Sequence, residues 1–537
     1  MIANTITPAG AHRRHVFSRG VMVFLALFWL LAVIGPLVMM LSTMADVDVL
    51  ATLTARKFAK ALRQSATVSA VATAISVSLA GLLAWATCRT RIRHKGAFSV
   101  LFSLPMLIPS ISHGMGLIIL LGTNGIVTNL LGARSSIYGF TGIVMGSVMY
   151  AFPVAYLMLL DVLRYEDATP YEAANVLGIS KLHQFTAITL PYLRKPLISV
   201  IFATFTLIVT DYGVPLMVGG KYTTLPVMMY QDVVGLMEFG KGSVIGMVLL
   251  VPAFIACLLD VLNRDKPGAA FTRKAFTIRK NAARDLFAYV VCILTALAVL
   301  LPIGTFACIS FVKKYPLDMT FSLDNVLQAL NMRAGVYFGN SVLIALCVAV
   351  IGVALAVATA YITARMPSRF SRVMHLMAIL PLAVPGIVLG LSYVMFFKAT
   401  PLYGTFALLI LVNAMHFFSS PYLMMYNTFS KLNVNLEAVG ATLGVSRWRI
   451  LLDVLLPQSA ETLVEMAGYF FVNSMITISA VSFLAGVGNK PVALMITQFE
   501  GQMQLECAAF VSLMILTANI LVKVLVYMAK HALRARG

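Results

Sequence analysis

Charged residues are scarce in this chain. Asp, Glu, Lys and Arg make up 11% of its 537 residues, whereas 60% are hydrophobic and the mean hydropathy is +0.91. A soluble protein carries roughly 25% charged residues, and one of this length could not bury so much apolar surface. The composition therefore excludes a soluble globular protein and predicts a protein that crosses a membrane several times.

Cysteine is also scarce, and its spacing does not suit a metal site. No two cysteines form the closely spaced pair that binds zinc, so we interpret all of them as small hydrophobic residues. The chain also lacks the phosphate-binding pattern G-x-x-x-x-G-K-[ST], which argues against ATP hydrolysis by this chain. The cysteines are Cys88, Cys257, Cys292, Cys308, Cys347 and Cys507.

Long apolar runs dominate the remaining sequence. A helix needs roughly 20 apolar residues to cross the ~30 Å hydrocarbon core. The runs are continuously apolar rather than alternating, which excludes a transmembrane barrel, and the first exceeds the roughly 7–15 residues of a signal-peptide core. We therefore predict an all-α membrane protein with about 12 transmembrane helices. They lie near 21–44, 65–88, 97–121, 137–160, 196–218, 243–262, 286–311, 338–364, 373–397, 402–426, 461–487 and 505–529.

The net charge of +20 could indicate nucleic-acid binding, but its placement indicates membrane topology instead. The densest basic clusters lie at 89–95, 264–284 and 530–536, on loops that the positive-inside rule places in the cytoplasm. The rule predicts that both termini are cytoplasmic, and we expect no nucleic-acid partner. Basic residues between 56 and 63 oppose the rule, which suggests that the second helix begins before residue 65.

The chain contains an internal duplication. A shift of 276 residues places Ser65 on Ser341 and Arg89 on Arg365, while a shift of 266 residues applies farther along each half. Each half then holds six helices, so we predict two parallel six-helix repeats with a path between them. The predicted units are a cytoplasmic tail at 1–20, a first half at 21–262, a cytoplasmic linker at 263–285, a second half at 286–530 and a cytoplasmic tail at 531–537.

Each half carries a polar segment between its apolar runs, which we call an elbow. The first elbow is 171–191 and the second is 436–457. A glycine in this setting can take the left-handed conformation that ends a helix, so we predict two short helices joined at the glycine and exposed to the cytoplasm. In both copies the glycine lies thirteen residues before a proline: Gly178 before Pro191, and Gly444 before Pro457.

Capping residues mark the expected helix starts in the elbows. Thr169 and Glu172 fit a capping box, and Ser180 fits the start of a second short helix, which should end at Pro191. In the second elbow the caps are Asn435 and Ser446. Small residues are expected to leave room for a closely packed partner; they are Ala173, Ala174, Ala438 and Gly440.

The first elbow, with its E-A-A, glycine and I-x-L-P, resembles the permease signature of bacterial binding-protein-dependent ABC importers. Two copies in one chain resemble the fused permeases of the ferric-iron, thiamine and 2-aminoethylphosphonate group. The second copy departs from the signature, because Glu437 lies one position before the expected glutamate. The residues that the resemblance assigns to ATPase coupling are Glu172, Ala173, Ala174, Gly178, Pro191, Glu437, Ala438, Gly440, Gly444 and Pro457.

The resemblance also implies a set of partners and a location. The elbows would dock on two copies of a separate ATPase subunit, which would hold the ATP and Mg, so this chain itself would be neither an enzyme nor a cofactor-binding protein. A periplasmic or extracellular binding protein would deliver the solute, and the chain would span the bacterial inner membrane with a coupling-helix elbow on each half.

Polar residues within the apolar runs are candidates for the translocation path. Asp211 is expected near the outer third of the fifth helix, either lining the path or paired with a neighbouring helix. His113 and His416 are expected to form interhelical hydrogen bonds rather than to bind substrate. The L-P-x-x-x-P sequences should kink the third helices. Asn473 and Thr477, in the eleventh helix, are expected either to hold helices together through hydrogen bonds or to line the path. The path candidates are Asp211, Asn473, Thr477, Pro105, Pro109, Pro381 and Pro385.

Two other functions share some of these features with an importer permease. A major-facilitator secondary transporter also has twelve helices and basic loops, but the elbows are not expected in it. A membrane-embedded enzyme would need a metal or nucleophile cluster. As for the solute, 210–235 and 469–484 resemble 2-aminoethylphosphonate permeases most, ferric-iron permeases next, and then those for thiamine or polyamines.

Overall fold

The computed structural model describes residues 20–132, 136–263 and 274–535. The expected tail at 1–20 lies outside these residues except for Gly20, as do 264–273 of the linker and 536–537 of the C-terminal tail. The described residues are mostly helical, with a single antiparallel hairpin that pairs Val312 with Phe321 and Lys314 with Asp318. The predicted all-α membrane class is confirmed.

Long helices of the first half are joined by short ones. They are α1 (Gly20–Asp46), α2 (Val49–Thr54), α3 (Arg56–Arg89), α4 (Lys95–Ser103), α5 (Ser110–Leu121), α6 (Ile126–Leu131), α7 (Phe140–Arg164), α8 (Thr169–Val176), α9 (Lys181–Val209), α10 (Gly213–Val218), α11 (Leu225–Tyr230) and α12 (Phe239–Asn263).

The second half repeats this pattern after the linker. Its elements are α13 (Ala282–Ser310), β1 (Val312–Lys314), β2 (Asp318–Phe321), α14 (Asp324–Asn331), α15 (Ala334–Arg365), α16 (Arg369–Ile379), α17 (Gly386–Phe397), α18 (Phe406–His416), α19 (Ser419–Lys431), α20 (Leu436–Thr442), α21 (Arg447–Ile450), α22 (Leu456–Gln458), α23 (Ala460–Ile476), α24 (Leu494–Gly501) and α25 (Leu505–Arg534).

The number of membrane-spanning helices is close to the predicted twelve. Among the described residues, nine helices are long and apolar enough to span a membrane, and two bent pairs raise the number to eleven. The eleventh predicted run, 461–487, differs because α23 ends at Ile476 after 17 residues. Residues 56–63 belong to α3, which confirms that the second helix begins before residue 65.

The third predicted helix of each half is two helices, not one kinked helix. Pro105 lies in a 3₁₀ turn and Pro109 precedes α5; Pro381 and Pro385 hold the same places before α17. Proline lacks an N–H, and it pushes the residue before it into extended conformation. Ile108 accordingly has φ −122° and ψ 151°. Two prolines four residues apart therefore break the helix, and in the second half the bend reaches 110°.

The first helix of each half packs against the other half. In α1, the backbone oxygen of Ala32 accepts a hydrogen bond from Tyr393 Oη at 2.5 Å, and the Trp29 ring contacts Phe418 edge-on at 4.6 Å between centroids. In α13, Asp285 Oδ1 accepts from the backbone N–H of Arg91 at 3.2 Å. The halves are therefore interlocked rather than merely apposed.

Two aligned serines have the same structural role. Ser65 Oγ accepts the backbone N–H of Leu225 at 2.7 Å, and Ser341 Oγ accepts that of Val492 at 2.7 Å. Each acceptor lies on the second helix of its half, and each donor follows the fifth: Leu225 begins α11, and Val492 lies in the turn before α24. Because an unpaired N–H in hydrocarbon costs several kcal/mol, these serines permit the chain to leave the helix there.

Close packing in α15 predicts a sharp difference between two of its glycines. A Cβ on Gly352 would lie 2.7 Å from the ring of Phe470, whereas one on Gly339 would have no heavy atom within 4 Å. We expect Gly352→Ala to lower the free energy of unfolding by about 1–3 kcal/mol through overpacking. Gly339→Ala should leave stability unchanged or slightly higher. Thermal unfolding of the purified chain in detergent measures both, and equal midpoints would contradict this packing.

Candidate functional site

Both elbows turn at a left-handed glycine, as predicted. Gly178 has φ +70° and Gly444 has φ +74°. In the first elbow, Ile179 N–H donates to Ala174 O at 2.9 Å and Gly178 N–H donates to Asn175 O at 3.2 Å. This pair of bonds is a Schellman closure, which satisfies the last carbonyls of a helix.

The second elbow has the same closure. Val445 N–H donates to Gly440 O at 2.8 Å, and Gly444 N–H donates to Ala441 O at 3.2 Å. The second arms also begin as predicted, because Ser180 Oγ accepts from His183 N–H at 3.4 Å and Ser446 Oγ accepts from Arg449 N–H at 3.3 Å. Both turns are therefore fixed by their own backbone.

The predicted capping box at Thr169 is wrong. Thr169 is the first residue of α8 and its side chain makes no cap; its Oγ1 donates to Asp167 Oδ1 at 2.9 Å. The linker caps this helix instead, since Lys274 O accepts from Ala168 N–H at 3.0 Å. Glu172 bonds Lys274 Nζ at 2.6 Å rather than the helix start. Asn435 of the second elbow likewise lies at the cap position but makes no side-chain cap.

The second arm of the first elbow does not end at Pro191, contrary to prediction. A π-helical turn at Phe185–Thr189 precedes Pro191, and the helix continues to Val209. Its wider turn accommodates a residue that has no N–H to donate. In the second elbow a π turn at Leu451–Leu455 leads through Pro457 to α23, with an interruption at Ser459. Each elbow is thus an extension of a membrane helix.

The small residues divide between the inside and the outside of each elbow. Ala174 and Gly440 are buried within it, and a Cβ on Gly440 would lie 2.3 Å from Ile450 Cδ1. The expectation that these two leave room for a partner is therefore wrong, since they leave room for the elbow's own second arm. Ala173 and Ala438 are exposed. Large apolar side chains share the outer surface, namely Val176, Leu177, Leu182, Leu443 and Trp448.

A buried arginine holds the second elbow to its membrane helix. Arg365, at the end of α15, donates from Nε to Glu437 Oε1 at 2.7 Å and also binds Glu437 through Nη2. The side chains of Arg365 and Glu437 are only 3% and 13% exposed. The same guanidinium donates to the carbonyls of Leu432 and Asn433. The displaced glutamate therefore has a structural contact of its own.

The first half has an equivalent contact made by different residues. We call this contact and the Arg365–Glu437 contact the arginine clamps. The aligned Arg89 bonds Glu166, which in turn accepts from Tyr171 Oη, and Tyr171 aligns with Glu437. Burial, together with the bond to Glu166, raises the pKa of Tyr171 to about 12, so its phenol stays protonated and donating. Sequence reasoning missed this clamp, although the aligned arginines were a signal for it.

The described part of the linker packs on the first elbow and on Arg89. The ring centroid of Phe276 lies 3.5 Å from Arg89 Cζ and 5.1 Å from the Tyr171 ring centroid. Backbone hydrogen bonds from Lys274 and Thr169 hold the pKa of Asp167 below its usual value. The first elbow is therefore covered by a segment of the linker, in addition to being held by its arginine clamp.

Asp211 lies just beyond the fifth helix, not within it as predicted. Its carboxylate accepts from Gly213 N–H at 3.3 Å and Val214 N–H at 3.0 Å, so it caps α10. Thr477, at the aligned position, follows the end of α23. A contact between the halves lies beside Asp211, where Tyr212 Oη bonds Ser482 Oγ. The two path candidates thus occupy equivalent breaks where the halves meet.

The remaining path candidates, and the two histidines, lie in or beside interrupted helices. Asn473 Nδ2 donates to Tyr469 O at 2.8 Å along its own helix. His113 Nε2 lies 3.2 Å from Pro105 O, across the break in its own broken helix rather than between neighbouring ones. His416 packs closely against Gly386 at the start of α17, because a Cβ added to this glycine would lie 2.8 Å from Nε2 of the histidine ring. The four prolines are buried: Pro105, Pro109, Pro381 and Pro385.

A family model fits this arrangement of duplicated units. The inner membrane component of binding-protein-dependent transport systems matches twice, at residues 76–264 and 352–535. The chain belongs to this family. Such permeases are multi-pass proteins of the bacterial inner membrane, and membership implies an ATPase and a substrate-binding protein as partners. It argues against both the secondary transporter and the membrane-embedded enzyme.

Several permeases are similar to this member of the family. A putative ferric transport system permease protein FbpB 1 from Haemophilus influenzae is 26% identical over 423 residues, covering 75% of this chain and 67% of the relative. Ferric transport system permease protein FbpB from Actinobacillus pleuropneumoniae is 25% identical over 426 residues, covering 75% and 61%. The chain therefore spans about two thirds or less of these relatives' length. A probable ABC transporter permease protein y4fN from Sinorhizobium fredii is 24% identical over 516 residues, covering 90% and 89%.

The clamp on the second elbow predicts a large stability effect. Glu437→Ala would leave the Arg365 guanidinium buried without its carboxylate, which should cost about 3–5 kcal/mol. Asp453→Ala is the matched control, because the Arg449–Asp453 pair on the same elbow is 73% and 62% exposed and should contribute at most about 1 kcal/mol. Thermal unfolding in detergent compares the two, and similar losses would refute the clamp.

Proposed function

We propose that this chain is the permease subunit of an ATP-driven importer, and that its elbows are the docking points for the ATPase. The observation that carries the proposal is the continuity of each elbow with a membrane helix. From Lys181 to Val209 the helix runs from the turn at Gly178 to the break at Asp211. A force applied at the elbow is therefore applied to the helix that ends beside the path candidates.

The outer surface of the elbows supports docking of a protein. Val176 is 88% exposed and Leu182 is 76% exposed, and in the second elbow Leu443 and Trp448 are exposed as well. Exposed apolar side chains of this size, rimmed by polar ones, mark interaction sites. Two elbows call for two copies of the ATPase, and we place the end of the bundle that carries them in the cytoplasm.

The arginine clamps would spread the motion through each half. Arg365 ties the first arm of the second elbow to α15, while the second arm leads into α23. An ATPase that moves the elbow would therefore move both membrane helices together. Because Asp211 and Thr477 lie at equivalent breaks where the halves meet, such a motion would open and close the path around them by alternating access.

For the transported solute we propose ferric iron first. The two ferric permeases described above support it, each matching three quarters of this chain. The resemblance of 210–235 and 469–484 to 2-aminoethylphosphonate permeases supports that phosphonate as the second candidate. In either case the solute would arrive on a binding protein outside the membrane.

The left-handed turn gives a direct test of docking. At φ +70°, Gly178→Val is strained by about 1–2 kcal/mol, whereas Gly178→Asn tolerates the conformation. No heavy atom lies within 4 Å of a Cβ at this position, so neither variant clashes. We expect Val to weaken binding of the purified ATPase roughly tenfold, since 1.4 kcal/mol is a factor of ten, and Asn to retain it. Unchanged binding by the Val variant would contradict docking at this elbow.

The solute can be identified on the partner rather than on this chain. We expect the cognate binding protein to bind ferric ion in isothermal titration, and this chain to import it in proteoliposomes containing the ATPase. The same titrations with 2-aminoethylphosphonate, thiamine and a polyamine are the controls. Tight binding of the phosphonate with no response to iron would reverse the order of the two candidates.

A further inference from the structure

A large cavity lies beside the membrane helices of the first half, and Arg284 at the start of α13 also lines it. It has a volume of about 1600 Å³ and is walled by α3, α7, α9, the first elbow and the linker. None of the path candidates is among its lining residues, so it is separate from them. Pockets for drug-sized ligands occupy roughly 300–1,000 Å³. The cavity therefore suits a larger ligand.

One end of the cavity is apolar and follows the membrane helices. On α3 its wall begins at Ala70 and Ala74, and on α9 it includes Leu197 and Ile201. From Ala70 to Arg89, at 1.5 Å per residue, the wall is about 28 Å long. Ala70, Ala74 and Ile201 are exposed, so this end opens to the side of the bundle, where lipid chains lie.

The other end, at the elbow, has excess positive charge. The charged residues in its lining are four cations and two carboxylates, and both carboxylates are already paired, Glu166 with Arg89 and Glu172 with Lys274. Lys181 Nζ donates to the neutral Asn175 Oδ1 at 2.7 Å. Within the described part of the chain, no carboxylate lies within ion-pair distance of Lys181 or Arg279. The four cations are Arg89, Lys181, Arg279 and Arg284.

The second half provides an internal comparison. Its corresponding groove lies between α15 and the second elbow with α23, includes Val350 at the position aligned with Ala74, and measures about 500 Å³. Among the described residues, neither a charged side chain nor a residue of the linker lines it. Only the first groove therefore joins an apolar wall to a cationic end.

We propose that this cavity, which we call the lipid groove, binds one anionic phospholipid from the leaflet at the elbow end. Its acyl chains lie along α3 and α9, and its phosphate binds Lys181 and Arg279. Anionic headgroups are attracted by about 1 kcal/mol per Lys or Arg near the surface, while buried methylene groups add to the affinity. A long apolar wall that leads to a basic end fits the acyl chains and the anionic headgroup of a lipid, whereas a soluble anion would use the basic end alone.

The lipid groove would connect membrane composition to the first elbow. Lys181 begins the second arm of that elbow, and Arg279 of the linker lines the same cavity. A phosphate between them holds the linker against the elbow. This consequence rests on the proposed docking function, whereas lipid binding itself does not.

Native mass spectrometry of the full chain, with added phosphatidylglycerol or phosphatidylcholine, tests the headgroup. We expect one phosphatidylglycerol to be retained in preference to phosphatidylcholine. The double variant Lys181→Gln/Arg279→Gln should weaken its binding about tenfold or more, because two charges at about 1 kcal/mol each exceed the 1.4 kcal/mol of a tenfold change. Arg447→Gln/Arg449→Gln, which removes two cations from the second elbow, should leave binding unchanged.

A second pair of variants tests the acyl-chain wall. Ala74→Trp fills the apolar end and should abolish retention of phosphatidylglycerol, whereas Val350→Trp, at the aligned position in the second half, should not. Equal binding by all variants, or equal retention of the two lipids, would overturn the proposal. So would inorganic phosphate competing at the affinity of the lipid, since the site would then bind a soluble anion.

The ATPase is the remaining alternative occupant. If the ATPase, in lipid-free detergent, protects the 274–281 linker from proteolysis while no phosphatidylglycerol is retained, the cavity is a protein-docking site and the proposal fails. Lipid binding and ATPase docking are measured in separate experiments. Failure of docking in the Gly178→Val test would leave the lipid result intact, and loss of lipid binding would leave the docking result intact.

Discussion

The fold depends on one constraint: every backbone N–H and C=O within the hydrocarbon needs a partner inside the protein. The chain nevertheless leaves the helix at equivalent places in both halves, before Ser110 and Gly386 and after Val209 and Ile476. It does so only where other groups are available. The hydroxyls of Ser65 and Ser341 accept the backbone N–H groups of Leu225 and Val492, and the Asp211 carboxylate accepts two more at the start of α10. Irregular backbone is thereby concentrated where the two halves meet.

Buried polar groups at the elbows are also paired within the protein, but different residues pair them in the two halves. In the second half a single buried arginine satisfies a glutamate and several carbonyls at once. In the first half Glu166 binds both Arg89 and Tyr171, and the Phe276 ring covers the arginine. The halves are therefore similar in geometry and different in chemistry. A partner that docks on both elbows meets a bare surface on one and a surface bordered by linker on the other.

Much of this could be predicted from the sequence, because the signals were local. Hydrophobic run length gave the membrane class, and glycine spacing gave both left-handed turns, since few residues other than glycine take φ near +70°. The capping box at Thr169 failed because a distant segment, the linker, took over the capping. Asp211 was misplaced because a continuous apolar run does not reveal that an aspartate ends one helix and begins another. The Arg365–Glu437 clamp joins residues 72 positions apart, and only the alignment of Arg365 with Arg89 hinted at it.

The interlocking of α1 with the second half has a consequence for biosynthesis. Its partners, Tyr393 and Phe418, are synthesised more than 350 residues after it. α1 must therefore stay in the membrane without these two neighbours until they have been made. A long apolar helix can do so, because each of its backbone groups is satisfied within the helix and its side chains face lipid without penalty. The contacts of α1 with Tyr393 and Phe418 therefore form late, on a helix whose own backbone groups are already satisfied.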